Sequence, residues 1–298
     1  MNASGRFLKL ILLLFIIISF NKLSAQEEIS EKVKNEFRAI SLINIKTTRT
    51  VPQHSFELNI QHRFGKADIH KDFLKNFFGM DLSSDIRFGF SFPLKSNLYV
   101  GIGRTKYTRL LDLDTKFTLL QQTEDNRMPV FVACYLNVSA RTFDAPNITL
   151  NMYINDTLTP FVYKNSYRFC YFYQIILSRK FNNTFSALSA PAILHRNLVY
   201  NNQPNDIYIL PFGGRIKIGF QSSLLFEYTI VFNKPAKVTN PYALGFEIGS
   251  AGHAFQITLS SINRISEPYL FVSTGVNPLK GQFFIGFNIH RTFFLKKQ

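Results

Sequence analysis

Charged side chains recur in this chain at positions where a strand would turn them all to one side. Glu57 and Arg63, Asp85 and Arg87, Asp114 and Lys116, Arg168, Arg215 and Lys217, Glu227 and Glu247 fall on the opposite parity to rows of Phe, Leu, Ile, Val and Tyr. Successive strand side chains point to opposite faces, so these charges gather on one face of a sheet. The set is nearly balanced in sign, which allows two chemistries. Opposite charges shut away from water must pair, and such pairs would fill a narrow interior by satisfying one another. Alternatively, the same groups form a mixed-charge constriction that selects polar or anionic solutes. His290 shares this parity and joins the candidates for lining the interior.

Other chemistries find less support. His62, His195, His253 and His290 are each capable metal or haem ligands as neutral imidazoles. They stand too far apart to make a local ligand motif, so hydrogen bonding is the expected role, with no metal and no cofactor. Cys134 falls on an apolar row and Cys170 on the opposite parity, which excludes a disulfide through the sheet wall. No GxSxG, HExxH, CxxC or phosphate-binding glycine loop occurs. Ser189 with His195 and Ser260 with His253 lack a supporting motif, and no enzymatic activity is expected.

The elements that must position the charges are strands. Phe56, Leu58 and Ile60 alternate with Glu57, Asn59 and Gln61; Ile86, Phe88, Phe90 and Phe92 alternate with Asp85, Arg87, Gly89 and Ser91. Leu98 to Gly103, Leu113 to Leu119, Val130 to Val138 and Tyr167 to Leu177 repeat the pattern. A weaker segment runs from Asn183 to Asn197, and clear ones follow at 206–219, 222–232, 241–249, 252–262 and 281–294. This predicts about twelve strands of roughly ten residues. Long connectors, such as Gly65 to Ser83 and Arg141 to Ser166, alternate with tight ones, such as Pro93 to Ser96 and Phe220 to Ser222. Such segregation, with an even strand number, belongs to a transmembrane barrel. A soluble β-sandwich or lipocalin-like barrel would instead expose its polar rows. Those rows are rich in Gly, Ala, Ser and Thr, as a crowded lumen requires. The apolar rows, with Tyr167, Phe220, Phe232, Tyr242 and Phe293 near strand ends, fit an outer band with aromatic girdles.

Composition agrees. The 298 residues are 46% hydrophobic and 18% charged, too apolar for disorder. Two Cys exclude a disulfide scaffold, and no apolar run past the N-terminus approaches the roughly 20 residues of a helical span. Arg6 and Lys9, the apolar block Leu10 to Phe20 and the small-residue end Leu23-Ser24-Ala25 predict a secretory signal at 1–25. Secretion argues against nucleic acid as the partner of a chain of formal charge +15. The surplus falls on loops and tails, where Lys66, Lys71, Lys75, Lys234, Lys237, Lys296 and Lys297 meet either anionic headgroups or water. Between signal and barrel, residues 26–54 form a separate periplasmic or plug segment. Ile29, Val33, Phe37 and Ile40 are spaced for a short amphipathic helix over 27–40, and Phe37 to Thr50 is a candidate to tuck into the lumen.

The motifs FELNIQHRFG (Phe56 to Gly65), FFGMD (Phe77 to Asp81), DIRFGF (Asp85 to Phe90), VGIGR (Val100 to Arg104), HRN (His195 to Asn197), GHAFQ (Gly252 to Gln256) and GFNIHRTFF (Gly286 to Phe294) resemble a family of Bacteroidetes outer-membrane β-barrels defined by a domain of unknown function. The resemblance runs through nearly the whole chain after the signal. It implies a Gram-negative outer membrane, with outer-membrane lipid, lipopolysaccharide and the barrel-assembly machinery as partners. It also implies work beside periplasmic lipid-binding proteins or cytochromes, and it brings no catalytic residue. Outer-membrane barrels commonly end on an aromatic residue, whereas Leu295-Lys296-Lys297-Gln298 follows Phe294 here, so assembly would rest on an internal aromatic.

The expectation is an all-β chain: one antiparallel, up-and-down transmembrane barrel over 55–298 with a short N-terminal helical or plug segment. Its function is to pass or bind a small solute without catalysis. The alternative is a non-transporting barrel that docks a periplasmic lipid-binding or redox partner.

Overall fold

The structure, a computed structural model, describes residues 30–34, 36–143, 162–200, 203–250 and 252–295. The expected signal at 1–25, the tail Lys296-Lys297-Gln298 and most of the connector from Arg141 to Ser166 lie outside these residues. Residues 32–298 form one compact unit. Its strands are β1 (Ser55–Asp68), β2 (Asp85–Lys95), β3 (Leu98–Thr105), β4 (Leu110–Leu120), β5 (Phe131–Arg141), β6 (Phe169–Lys180) and β7 (Phe185–Ser189). They continue as β8 (Ala192–Arg196), β9 (Asp206–Lys217), β10 (Ser222–Val231), β11 (Tyr242–Ser250), β12 (His253–Ser260) and β13 (Gln282–Phe294).

Every pairing is antiparallel, and the sheet closes on itself. β13 lies against β1, with Asn59 opposite His290, and β9 lies against β10, with Gly213 opposite Glu227. Closure leaves no unpaired edge, the condition for crossing lipid with strands. β7 and β8 share one position between β6 and β9: Leu177 faces Ser189 and Gln174 faces Ala192 along the same neighbour. The interruption is Ala190-Pro191, where proline has no N–H to give the ladder. The wall stays bonded across the break, because Pro191 O accepts from Ile175 N at 3.0 Å and Ala190 N donates to Pro211 O at 3.0 Å. Thirteen strands therefore make a barrel of twelve staves, matching the twelve segments of the sequence pattern.

Alternation produces two unlike faces. Phe88, Phe90, Leu113, Leu119, Tyr173, Leu244 and Ile257 are exposed on the outside, whereas Glu57, Asn59, Arg63, Asp85, Asp114 and Gln256 on the opposite parity are buried. An exposed apolar surface running around the whole wall far exceeds the few hundred Å² that a water-soluble monomer shows. No helix among the described residues is long and apolar enough to cross a membrane; the crossing elements are the strands. Tight turns, including 96–97, 181–184 and 218–221, lie at the end where β1 begins and β13 finishes, and the long connectors lie at the other.

One expected element does not form. Val33, Phe37 and Ile40 have helical spacing, yet the described part of 27–40 is irregular chain. From Glu36 onward the segment lies inside the barrel, and at its entrance the backbone bonds to the wall: Val33 N donates to Gln122 O at 2.9 Å, and Lys32 pairs with Thr123. With wall all around, Glu36, Ala39 and Ser41 are buried along with the apolar positions, so one apolar stripe carries no advantage.

Candidate functional site: the filled lumen

Residues 32–51 enter at the tight-turn end, reverse at Asn44 and return to β1. The reversal is a narrow loop: Leu42 N donates to Ile45 O at 2.8 Å and Thr47 N to Ile40 O at 3.0 Å. At its tip three successive backbone N–H groups converge on one wall carboxylate. Ile43, Asn44 and Ile45 donate to Glu227 Oε1 at 2.7, 2.8 and 2.9 Å, and Asn44 Nδ2 donates to Oε2 at 3.0 Å. Consecutive N–H groups of this kind form a concavity that binds anions, and here β10 supplies the anion. From β1 and β13, Gln61 and Asn288 donate to Ile43 O at 3.2 and 2.9 Å, and Arg63 Nη2 donates to Asn44 Oδ1 at 2.9 Å. Lys116 Nζ donates to the carbonyls of Thr47 and Arg49 at 2.6 and 2.5 Å.

Wall glycines receive the bulk. A side chain at Gly213 would collide with Leu42, one at Gly245 would press on Ile43, and one at Gly249 would occupy the path of Arg38. Small inward residues therefore seat the inserted segment rather than leave a bore.

A second insertion comes from the long-loop end. The connector between β12 and β13 buries Ile262, Ile265, Leu270 and Phe271, and Phe271 stacks on Phe172 with centroids 5.7 Å apart. Asp85 anchors it, accepting from Ile265 N at 3.3 Å and from Tyr107 N at 3.0 Å. Tyr135 donates its hydroxyl to Glu267 at 3.2 Å, and burial pushes the Glu267 carboxyl up from its ordinary range.

The charges picked out by parity divide into three groups. Arg87 pairs with Asp114 at 3.6 Å, Arg215 with Glu247 at 3.3 Å, and His290 with Glu57 at 3.2 Å, all within the wall. Lys116 and Glu227 bond chiefly to the inserted segment rather than to opposite charges, and Asp85 accepts from the second insertion and from the β3–β4 turn. Arg63 donates mainly to the wall, to the carbonyls of His62 and Phe287 and to Asn288 Oδ1, with one bond to Asn44. Arg168 and Lys217 are not buried inside. Arg168 sits in a turn just before β6 and donates to the carbonyls of Arg141 and Phe143, beyond the ladder, where strand parity no longer applies. Lys217 ends β9 at the rim, its ammonium over the Phe220 ring.

Parity alone also points to Asp112, which shares the face of Asp114 and is the closest partner of Arg87, at 2.5 Å. Arg38, Arg49 and Glu36 belong to irregular chain, where no period reveals a facing. They matter nonetheless: Arg49 pairs with Glu57 at 3.0 Å and Arg38 approaches Glu247 at 3.8 Å. The histidines stay apart. His62 stacks on Phe287, His195 bonds Asp206 at 2.7 Å, and among the described residues no His, Cys, Asp or Glu group could hold a metal ion. Both cysteines are free.

A closed antiparallel wall, apolar outside and polar within, with chain inserted from both ends, defines a membrane β-barrel with an occupied lumen. Residues 37–293 match the membrane bound beta barrel domain DUF5777, and the chain belongs to that family. No curated protein matches the sequence. Among solved structures, the NanC porin is similar at 7% identity and TM-score 0.48, over 80% of this chain and 100% of that one. The KdgM porin is similar at 6% identity and TM-score 0.46, over 80% and 99%. An outer membrane channel from Pseudomonas putida F1 is similar at 13% identity and TM-score 0.47, over 83% and 98%.

Proposed function

We propose that this chain is a non-catalytic barrel of the bacterial outer membrane that takes a small solute into its lumen, with residues 32–51 as the gate. The tight-turn end then faces the periplasm and the long loops face outward, as in other barrels of this membrane. Lipid and lipopolysaccharide meet the outer apolar rows, and an aromatic near Phe294 serves the assembly machinery. The observation that carries this reading is the grip of Glu227 on three consecutive N–H groups of the inserted loop. It ties the tip of the segment to the wall through one carboxylate, so a single substitution reaches it. Gly213, Gly245 and Gly249 face Leu42, Ile43 and Arg38 of the segment, so undocking leaves room at those positions.

Planar-bilayer recording tests it. The intact protein is expected to be nearly silent, and deletion of 32–50 or Glu227→Ala is expected to produce stable ohmic steps. Equal conductance with and without the segment removes it as a gate. Silence in the deletion variant favours a second reading, which the filling of the lumen from both ends also supports. In that reading the barrel conducts nothing and docks a periplasmic lipid-binding or redox protein.

A further inference from the structure

Beside the gate, at the tight-turn end, lies a half-open cavity of about 730 Å³, within the size range of small-molecule sites. Arg38, Arg49, Lys180, Arg215 and Lys217 line it, drawn from the inserted segment, β6 and β9, and among the described residues no carboxylate does. Two acids lie behind this lining: Glu247, which holds Arg38 and Arg215, and Glu57, which holds Arg49. A third carboxyl, Glu36, is close enough to Lys180 to interact with its charge, so five cations share at most three counter-charges among the described residues, whereas Arg87 elsewhere in the wall pairs with two carboxylates. His290 adds an independent sign. His290 is among the lining residues and is 2% exposed, and its Nδ1 is engaged by Asn59 and Glu57 at 3.1 and 3.2 Å, while the buried Nε2 has no hydrogen-bond partner. Buried polar atoms ordinarily have one.

We infer that this cavity is an anion-binding site, taking the carboxylate or phosphate group of a small solute on Arg38, Arg49, Arg215 and the two lysines, with His290 Nε2 at its floor. Arginine forks suit both groups, and the carboxylates behind them fix the guanidinium planes in advance of binding. Because Arg38 and Arg49 belong to the gate, an anion on them competes with Glu247 and Glu57, the two acids that tie that part of the segment to the wall. The site deepens the solute-handling reading and rests on it for any effect of the bound anion on the gate; binding itself requires no conduction.

Calorimetry on the detergent-purified full chain, with citrate and inorganic phosphate as probes and glucose as the neutral control, gives the test. Saturable binding of at least one anion, absent for glucose and weakened by added salt, is the expected result. Lys180→Gln with Lys217→Gln is expected to weaken it roughly tenfold, the effect of losing charge-assisted bonds, and the paired Lys→Arg variant is expected to retain it. No anion binding, equal glucose binding, or an unchanged affinity in the Gln pair overturns the assignment. Displacement of bound citrate by glycerol phosphate alone identifies a free solute as the source; displacement by phosphatidylglycerol vesicles as well identifies a lipid headgroup. Anion binding by a deletion variant that stays silent in bilayers overturns the gate and leaves the site standing. Conduction without anion binding does the reverse.

Discussion

The two arcs of the barrel wall solve the same packing problem with opposite chemistry. Along β13 and β1–β4 the buried inward positions are mostly polar, Asn288, His290, Glu57, Gln61, Arg63, Arg87, Asp112 and Lys116 among them, with apolar exceptions such as Tyr99 and Leu110. Along β5–β9 they include Ala133, Tyr135, Phe172, Ile176, Leu188, Leu194, Ile207 and Ile209, which form a core with Leu42, Ile43 and Phe271 from the inserted chain. The first arc is held by directional bonds and charge pairs, the second by burial of apolar surface. The inserted segment lies between them: Leu42 and Ile43 join the apolar core, while Ile43 O, Thr47 O and Arg49 O accept from Gln61, Asn288 and Lys116 of the polar arc, where Ile40 and Val51 also pack on Tyr99. Such an element leaves only if both kinds of interaction are lost together, so the gate proposed above would switch between two states rather than leak gradually.

The largest expected effect comes from unbalancing the polar arc. Arg87→Ala strands Asp112 and Asp114, which are buried side by side, and is expected to cost about 3–5 kcal/mol. The urea midpoint of unfolding from liposomes reads it. Replacing all three by Met, Leu and Leu is expected to recover much of the loss, since a well-packed apolar set often equals a buried ion cluster. A cost below about 1 kcal/mol for Arg87→Ala would mean that the charge pairs do not hold this arc.

The apolar arc answers to volume instead. Leu194→Ala removes a fully buried side chain, and the cost is expected toward the lower end of the roughly 2–5 kcal/mol range for such truncations. The inserted chain lies outside the hydrogen-bonded ladder of the wall and is free to settle into part of the space. Leu194→Met is expected to cost less than about 1.5 kcal/mol. If the two substitutions unfold the protein equally, shape at this position is not what the arc depends on.

The contrast between arcs also explains what the sequence revealed. In the polar arc every stave reads cleanly, because lipid outside and charge inside force a period of two, as in Phe56 to Gln61. The stave built from β7 and β8 reads weakly because both of its faces are apolar: Leu188 and Leu194 point inward while lipid lies outside, and Pro191 breaks the run. Arg168 shows the complementary error, parity extended one turn past the end of a strand. The inserted segment carried a misleading helical spacing, since Val33, Phe37 and Ile40 are buried by the surrounding wall and not by any face of their own. Its partners were unreadable for a different reason. Glu227 and Lys116 look like members of an ion-pair set, but they bind backbone groups, and backbone groups leave no trace in the residue types opposite them.

The smallest expected effect probes the seam where the segment meets β6. Glu36 is buried against Thr48 and Ser178, and desolvation, opposed by those hydroxyls and by Lys116 and Lys180, pushes its carboxyl up to about 7 from 4.5. A folded-state value above the ordinary one means that the protonated form favours docking. That contribution is full below about 4.5 and is lost as pH rises through about 7. Between pH 6 and pH 8 docking is expected to weaken by about 1.4 kcal/mol, roughly tenfold in the undocked fraction. The chain has no Trp, so Phe37→Trp supplies a single reporter inside the lumen, and acrylamide, being neutral, quenches it without a pH dependence of its own. Quenching is expected to rise across this window and to become nearly flat with Glu36→Gln, held near its low-pH level. Quenching that stays constant in the parent would show that the seam transmits no charge change and that the segment is held by Glu227 and the apolar arc alone. Quenching that rises equally in both would place the titrating group elsewhere, on the polar side of the segment.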